Sequence, residues 1–255
     1  MTDSLAQNYN AVGAAVMEMI YAPDFLSVGG GVSTKTLAAL GQVASTSVLD
    51  VGSGLGGAAF YLAEHAGCSV TGIDLLPANV AEATRRASER GLSAHVNFTC
   101  ANATALPYKD ASFDVVWGQD AWCHVNDKAT LIAEASRVLR VGGKIVFSDW
   151  LTGNPPDASN EDVRRVTASP HMGNADLYRT LLAEQGFDGI QYVDGHDDFV
   201  RRYHTVLKQL QALEDRMCAE FGRKVFDIVC EKHAMICRGF ESRSLVFGSF
   251  VARLS

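Results

Sequence analysis

Val48-Leu49-Asp50-Val51-Gly52-Ser53-Gly54-Leu55-Gly56-Gly57 is a short apolar run that breaks into a glycine turn and continues at Ala58 into a helical pattern. Glycines allow the tight turn and leave no side chain between the backbone and a ligand, so a bound group can lie against peptide N–H groups at a helix N-terminus. Twenty-four residues after Asp50, Asp74 ends the next apolar run, where a carboxylate can accept both hydroxyls of a ribose. The unit reads as strand, turn, helix and strand of a nucleoside-binding sheet.

Outward from this unit, short β-branched runs alternate with helical patterns for about a hundred residues, the signature of a parallel sheet covered by helices. Strands are expected at 47–51, 69–74, 96–100, 113–118 and 144–149. A helix is expected over 77–90, with proline in its first turn and Gly91 after its end. A second is expected to start from a cap at Asn126 or Asp127 and run to Arg140, ended by Gly142-Gly143. Beyond Trp150 the pattern predicts a loop at 153–160, a helix at 177–185, a strand at 189–193, a helical stretch over 199–237 and a last strand at 244–254. The fold class is α/β, a mostly parallel seven-stranded sheet flanked by helices, in one domain of 1–255. Within it, 1–40 is expected to form an N-terminal helical lid, 47–150 the cofactor-binding core and 196–240 a helical cap insertion.

Composition narrows the partners. Twenty-nine acids against 22 bases leave a net charge of −7, a field that repels polyanions and offers no basic footprint for an anionic membrane. Nucleic acid and membrane are therefore not expected as partners. The six cysteines show no CxxC pair and no ligand-like spacing, so they read as small apolar residues in a reducing compartment, and no metal is expected. Residues 1–9 carry no basic cluster or apolar run, and no stretch of eighteen apolar residues occurs, which predicts a cytoplasmic protein.

Gly52, Gly54 and Gly57 also satisfy GxGxxG, so the glycines alone do not separate a nicotinamide dinucleotide from S-adenosyl-L-methionine. Asp50 bears on the choice. A carboxylate two residues before the first glycine repels a pyrophosphate and attracts an ammonium or sulfonium, which favours the methyl donor. The competing reading is that Asp50 only ties down the turn by accepting backbone N–H bonds.

LDVGSGLGG, the acid of TGID, NATALPYKDASFDVVW and RVLRVGGKIVFSDW occur in that order over residues 47–150. Together they resemble the class I S-adenosylmethionine-dependent methyltransferases, with their Rossmann-like fold. YAPDFLSVGG, WGQDAWCHVND and HMGNADLYRTLLAEQGF further resemble the small-amine N-methyltransferases, meaning the sarcosine/dimethylglycine and phosphoethanolamine enzymes. The resemblance implies that Tyr9, Leu26 and Ser27 close over the donor, that Gly52 meets its methionine part, and that Asp74 and Leu75 hold its ribose; Gly54 of the glycine turn is a further cofactor-binding candidate. It also implies that Asn102 and Ala103 take the adenine and that Gln119 is a further donor contact. His124 matches a histidine that works with a lid tyrosine, here Tyr9. Two departures stand out: Asn102 occupies a place where the wider family has Asp, and residues 168–171 hold no equivalent of the Arg and Tyr residues that bind a substrate phosphate.

Methyl transfer is an in-line displacement by a lone pair, so the protein's task is to align donor and acceptor and to exclude water. An amine must be neutral to react, and His124, at the carboxyl end of the fourth strand, is the candidate base. Trp122, His171, Met172, Tyr178 and Tyr203 are candidates for the acceptor pocket, where aromatic faces attract an ammonium, with core packing as the competing reading. Arg179, Arg201 and Arg243 are open candidates for a substrate carboxylate. The function expected is N-methylation of a small amine such as sarcosine or dimethylglycine. The alternatives are O- or C-methylation of a small natural product, or nicotinamide-dependent oxidation. Oligomeric state leaves no trace in the sequence.

Overall fold

Residues along each central strand alternate between two apolar layers, and this alternation builds the molecule. In the computed structural model, which describes residues 9–153 and 172–255, Val48 of β1 (Ser47–Val51) packs with Val70, Val115, Trp117 and Val146 under helices α2 (Gly30–Gly41) and α3 (Gly57–Ala66). Its neighbour Leu49 points the other way and joins Ile73, Val116, Ile145 and Phe147 under α5 (Lys128–Val138) and α6 (Ala175–Glu184). Both faces are covered, which is why these strands read as nearly unbroken apolar runs.

The remaining core elements are β2 (Ser69–Asp74), α4 (Pro77–Glu89), β3 (Val96–Cys100), β4 (Phe113–Gln119), β5 (Leu139–Thr152), β6 (Phe187–Asp194) and β7 (Leu245–Leu254). Their order in the sheet is β3-β2-β1-β4-β5-β7-β6. The first five strands in that order run parallel, and β7 is antiparallel to both β5 and β6. The chain reverses its direction of winding between β1 and β4, the place where open sheets of this kind leave a crevice for ligands. The seven-stranded, mostly parallel sheet is the one the sequence predicts.

Several element boundaries differ from expectation, and within the sheet strand pairing overrides the local signals. The helix expected to reach Arg140 ends at Val138, since Leu139 already pairs with Phe113. Gly142-Gly143 therefore marks a register shift within β5 rather than a helix end, with Lys144 opposite Val115. Around Gly189 a similar irregularity lets β6 extend over Phe187–Asp194. The stretch predicted as helical over 199–237 is three helices, α7 (His196–Ala212), α8 (Glu214–Phe221) and α9 (Arg223–Glu241), separated at Leu213 and Gly222. Most of the loop expected at 153–160 lies outside the described residues.

These three helices and α1 (Ala11–Ile20) share a separate apolar cluster. Val16 and Ile20 of α1 meet Phe199, Tyr203 and Leu210 of α7 and Ile236 and Phe240 of α9. Trp150, near the end of β5, stands edge-on to Phe199, Tyr203 and Phe240 and ties that cluster to the sheet. No helix among the described residues is long and apolar enough to cross a membrane, and all six cysteines carry free thiols.

Candidate functional site

The crevice between β1 and β4 holds a cavity of about 430 Å³. Its floor is the glycine turn. Gly52 has φ +87°, and a Cβ there would lie 2.5 Å from the Ala121 Cβ, so only glycine lets the turn pass under the β4 loop. Asp50, just before it, is 1% exposed, and its Oδ2 has no hydrogen-bond partner among the described residues. Burial, with the Asp74 charge adding to it, pushes the Asp50 carboxyl up to about 7. A buried acceptor left open in the wall of a cavity points to a cationic ligand group, and it does not support the reading in which Asp50 only ties down the turn.

Asp74 does hold the turn. Its Oδ2 accepts the Gly54 N–H at 2.9 Å, and its Oδ1 accepts the Leu76 N–H at 2.8 Å and the Asn79 side-chain amide at 3.3 Å. Burial raises its pKa, and these N–H bonds oppose the rise. Two carboxylate oxygens offer about four lone-pair sites, so a ribose diol can still be accepted.

The opposite wall comes from the segment between α1 and α2 and from the loops after β3 and β4. Leu26 lies over Gly54, with Ser27 beside it on the cavity. Asn102 and Ala103 line the far side, and Asn102 Oδ1 also accepts the Thr104 N–H at 3.0 Å and its hydroxyl at 2.9 Å. The Thr34 hydroxyl donates to Gln119 Oε1 at 2.9 Å and fixes that side chain on the cavity.

Past β4, a short 3₁₀ turn, Trp122–His124, brings Trp122 and His124 to the cavity. Trp122 is anchored by its indole N–H to the Val51 carbonyl at 3.1 Å and stacks on Phe147 at 4.2 Å between centroids. Asp149 holds the turn from below: it accepts the Cys123 N–H at 2.9 Å and the Tyr178 hydroxyl at 2.7 Å. Burial pushes Asp149 up to about 6, with the neighbouring Lys128 opposing. Held this way, His124 places Nε2 3.0 Å from the Tyr9 hydroxyl, the two rings edge to face. Burial raises the Tyr9 phenol far above its ordinary value, so it keeps its proton and can donate it to Nε2 in the imidazole tautomer that leaves that nitrogen unprotonated.

Of the residues singled out in the sequence, Tyr9, Leu26, Ser27, Gly52, Gly54, Asp74, Leu75, Asn102, Ala103, Gln119, Trp122 and His124 all line this one cavity. Tyr178 does not. It sits below the site, fully buried, with its hydroxyl on Asp149. Met172 and Tyr203 are in the cluster shared by α1 and the C-terminal helices and are also off the cavity wall, and His171 lies outside the described residues. Arg179, Arg201 and Arg243 pair with Asp176, Asp198 and Asp197 at the surface and do not reach the cavity.

Asp120 escaped the sequence reading. It lines the cavity at φ +56°, its Oδ1 accepts the Ser148 hydroxyl at 2.5 Å, and its buried Oδ2 is in no hydrogen bond of ordinary geometry among the described residues, with the Ser27 hydroxyl near the carboxylate. Burial pushes it up to about 6 against the Ser148 bond. A non-glycine residue in left-handed backbone at a strand end is a signal that only coordinates carry. Among the described residues the cavity is lined by five aspartates, Asp24, Asp50, Asp74, Asp120 and Asp127, and by no lysine or arginine. Such a lining suits a nucleoside that carries positive charge and an amine partner, and it opposes a pyrophosphate. Elsewhere, His204, Cys237 and Glu241 bring one ligand atom each within 4.8 Å of one another on α7 and α9, away from the cavity.

Comparison with known proteins identifies the family. The profile of a methyltransferase domain family matches residues 49–147. A phosphoethanolamine N-methyltransferase of Triticum aestivum is 31% identical over 221 residues, 86% of this chain and 43% of that protein. A sarcosine/dimethylglycine N-methyltransferase of Aphanothece halophytica is 30% identical over 185 residues, 72% of this chain and 67% of that one. In structure, phosphoethanolamine N-methyltransferase 2 of Haemonchus contortus, solved with phosphomonomethylethanolamine and S-adenosylhomocysteine, superposes with a TM-score of 0.92 at 21% identity. That alignment covers 99% of this chain and 59% of the other. The chain thus spans less than half of the wheat relative and about three fifths of the nematode one.

Proposed function

The chain belongs to the S-adenosylmethionine-dependent methyltransferases, and from that premise we propose that it transfers a methyl group from S-adenosylmethionine to the nitrogen of a small amine such as sarcosine or dimethylglycine. The observation that carries this reading is the lining of the cavity, five aspartates and no lysine or arginine among its described lining residues, with Asp24 alone paired to arginines behind the wall and a tyrosine–histidine pair at the cavity's edge.

S-adenosylmethionine bound in the cavity supplies a methyl group on a positively charged sulfur, open to displacement by a lone pair. Asp74 accepts from the ribose hydroxyls while its bonds to Gly54 and Leu76 keep the turn in place. Asp50 faces the cationic end, and its unpartnered oxygen gains the ion pair it lacks. Asn102, Ala103 and Gln119 orient the remaining parts. Tyr9, Leu26 and Ser27 exclude water from above.

The acceptor nitrogen must lose its proton before it can react. Tyr9 Oη receives that proton as it passes its own to His124 Nε2, so the 3.0 Å bond between them is the path, and His124 ends as the imidazolium. Asp120, a buried carboxylate on the cavity wall, attracts the ammonium form as it enters and sets the nitrogen in the cavity. Asp149 and Tyr178 keep the Trp122–His124 turn where His124 can reach Tyr9. Donor enclosure and proton removal are coupled through one residue, Tyr9.

The experiment is to incubate the protein with labelled S-adenosylmethionine and a panel holding sarcosine, dimethylglycine, phosphoethanolamine and simple phenols. Label on an unphosphorylated amine supports the reading. Transfer confined to phenols or to phosphoethanolamine would displace it.

A further inference from the structure

The segment between α1 and α2 lies across the glycine turn, yet nothing in the proposed chemistry explains what holds it there. Asp24 in that segment is a non-glycine residue at φ +71°, 9% exposed, on the cavity wall. Its carbonyl oxygen comes so close to α3 that a Cβ on Gly57 would lie 2.7 Å from it. Left-handed backbone in an aspartate persists only where surrounding contacts enforce it.

Those contacts converge on one guanidinium. Arg86, in the last turn of α4, donates from Nη1 to Asp24 Oδ1 at 2.9 Å and forks onto Glu18 of α1, with Nη1 on Oε1 and Nη2 on Oε2 at 3.0 Å. Its Nε binds Glu82 at 2.7 Å. Arg90 completes the set, bonding Asp24 Oδ2 while its guanidinium covers the Phe60 ring at 4.8 Å. Glu18 Oε1 also accepts the Asp24 N–H at 2.6 Å, which fixes the backbone as well as the side chain. The Arg86, Glu18 and Asp24 side chains are only 17%, 20% and 10% exposed, so these ion pairs are shielded from water and salt. Burial alone would push the Glu18 carboxyl up, and the Arg86 bonds outweigh it and hold it below its ordinary value.

The other end of the same helix forms the facing wall of the cavity, since Asp74, Leu75, Leu76 and Asn79 lead into the first turn of α4. We propose that Arg86, assisted by Arg90, is a positioning residue for the donor: through Glu18 and Asp24 it pins the covering segment to the helix that directly follows the ribose site, so both walls move as one body. The proposal rests on the reading of the cavity as the donor site. A lysine cannot reproduce the fork onto Glu18 and the bond to Asp24 together.

The test uses the full chain and S-adenosylhomocysteine, with calorimetry well below the melting temperature and amide exchange of residues 21–27. Arg86→Met is expected to weaken binding tenfold or more and to speed exchange in that segment. Arg86→Lys should recover part of both losses, and Glu18→Gln, off the cavity wall, should cost several-fold. A role in stability alone would lower the melting temperature and leave the dissociation constant and local exchange unchanged in all three, which overturns the proposal. Failure of the unaltered protein to bind S-adenosylhomocysteine would instead remove the donor reading and this proposal with it.

Discussion

Substituting Asp50 with asparagine isolates the charge that the donor is read as meeting. In the free protein this carboxyl is pushed up to about 7 by burial and by the nearby Asp74. A bound ammonium should return it towards the ordinary carboxylate value of about 4. Proton linkage then makes S-adenosylhomocysteine bind about 50-fold more weakly at pH 5 than at pH 7, roughly 2.3 kcal/mol, and less than about twofold more tightly at pH 8 than at pH 7. Binding at pH 7 should release about half a proton, read by calorimetry in two buffers of different ionisation heat. In the free protein the sign is consistent. A folded value above the unfolded one means that the native state holds a proton the unfolded chain has lost, so this group's contribution to stability is complete below about pH 4 and disappears as pH rises through about 7. Asp50→Asn should flatten both the affinity profile and that stability slope. An affinity that stays within about twofold between pH 7 and pH 5, or an Asp50→Asn protein that keeps the whole decline, would refute the reasoning.

Three other perturbations probe the remaining parts. Asp74→Ala removes two charge-assisted hydrogen bonds to a ribose, about 3–4 kcal/mol together, so the S-adenosylhomocysteine dissociation constant should rise by a few hundredfold; a change below tenfold would mean that the diol binds elsewhere. His124→Ala should lower turnover on the reactive amine by about 10²–10⁴ while donor affinity moves less than about threefold, and comparable small changes in both would exclude it as the base. Tyr178→Phe deletes the 2.7 Å bond to buried Asp149 and should cost about 1–3 kcal/mol in urea denaturation. An unchanged midpoint would show that Asp149 does not depend on that hydroxyl.

Local chemistry determined much of this protein in advance. The apolar runs and the glycine turn after β1 specify a parallel sheet with a ligand crevice, because buried strand pairing and close backbone approach require those residue types wherever they occur. Most of the cavity wall was legible for the same reason: Asp74, Asn102, Gln119 and His124 sit at or just past strand ends, whose place in an open sheet is set by its order. Element ends were less legible, since Leu139 pairs with Phe113 from a position whose sequence still reads as helix. What only the tertiary structure decided was which charges meet. Arg86 lies 62 residues from Asp24 and 68 from Glu18, Tyr178 lies 29 from Asp149, and the burial of the Asp50 and Asp120 carboxylates comes from elements far apart in the chain. Burial and long-range pairing are properties of the folded chain as a whole, and no short window of residues contains them.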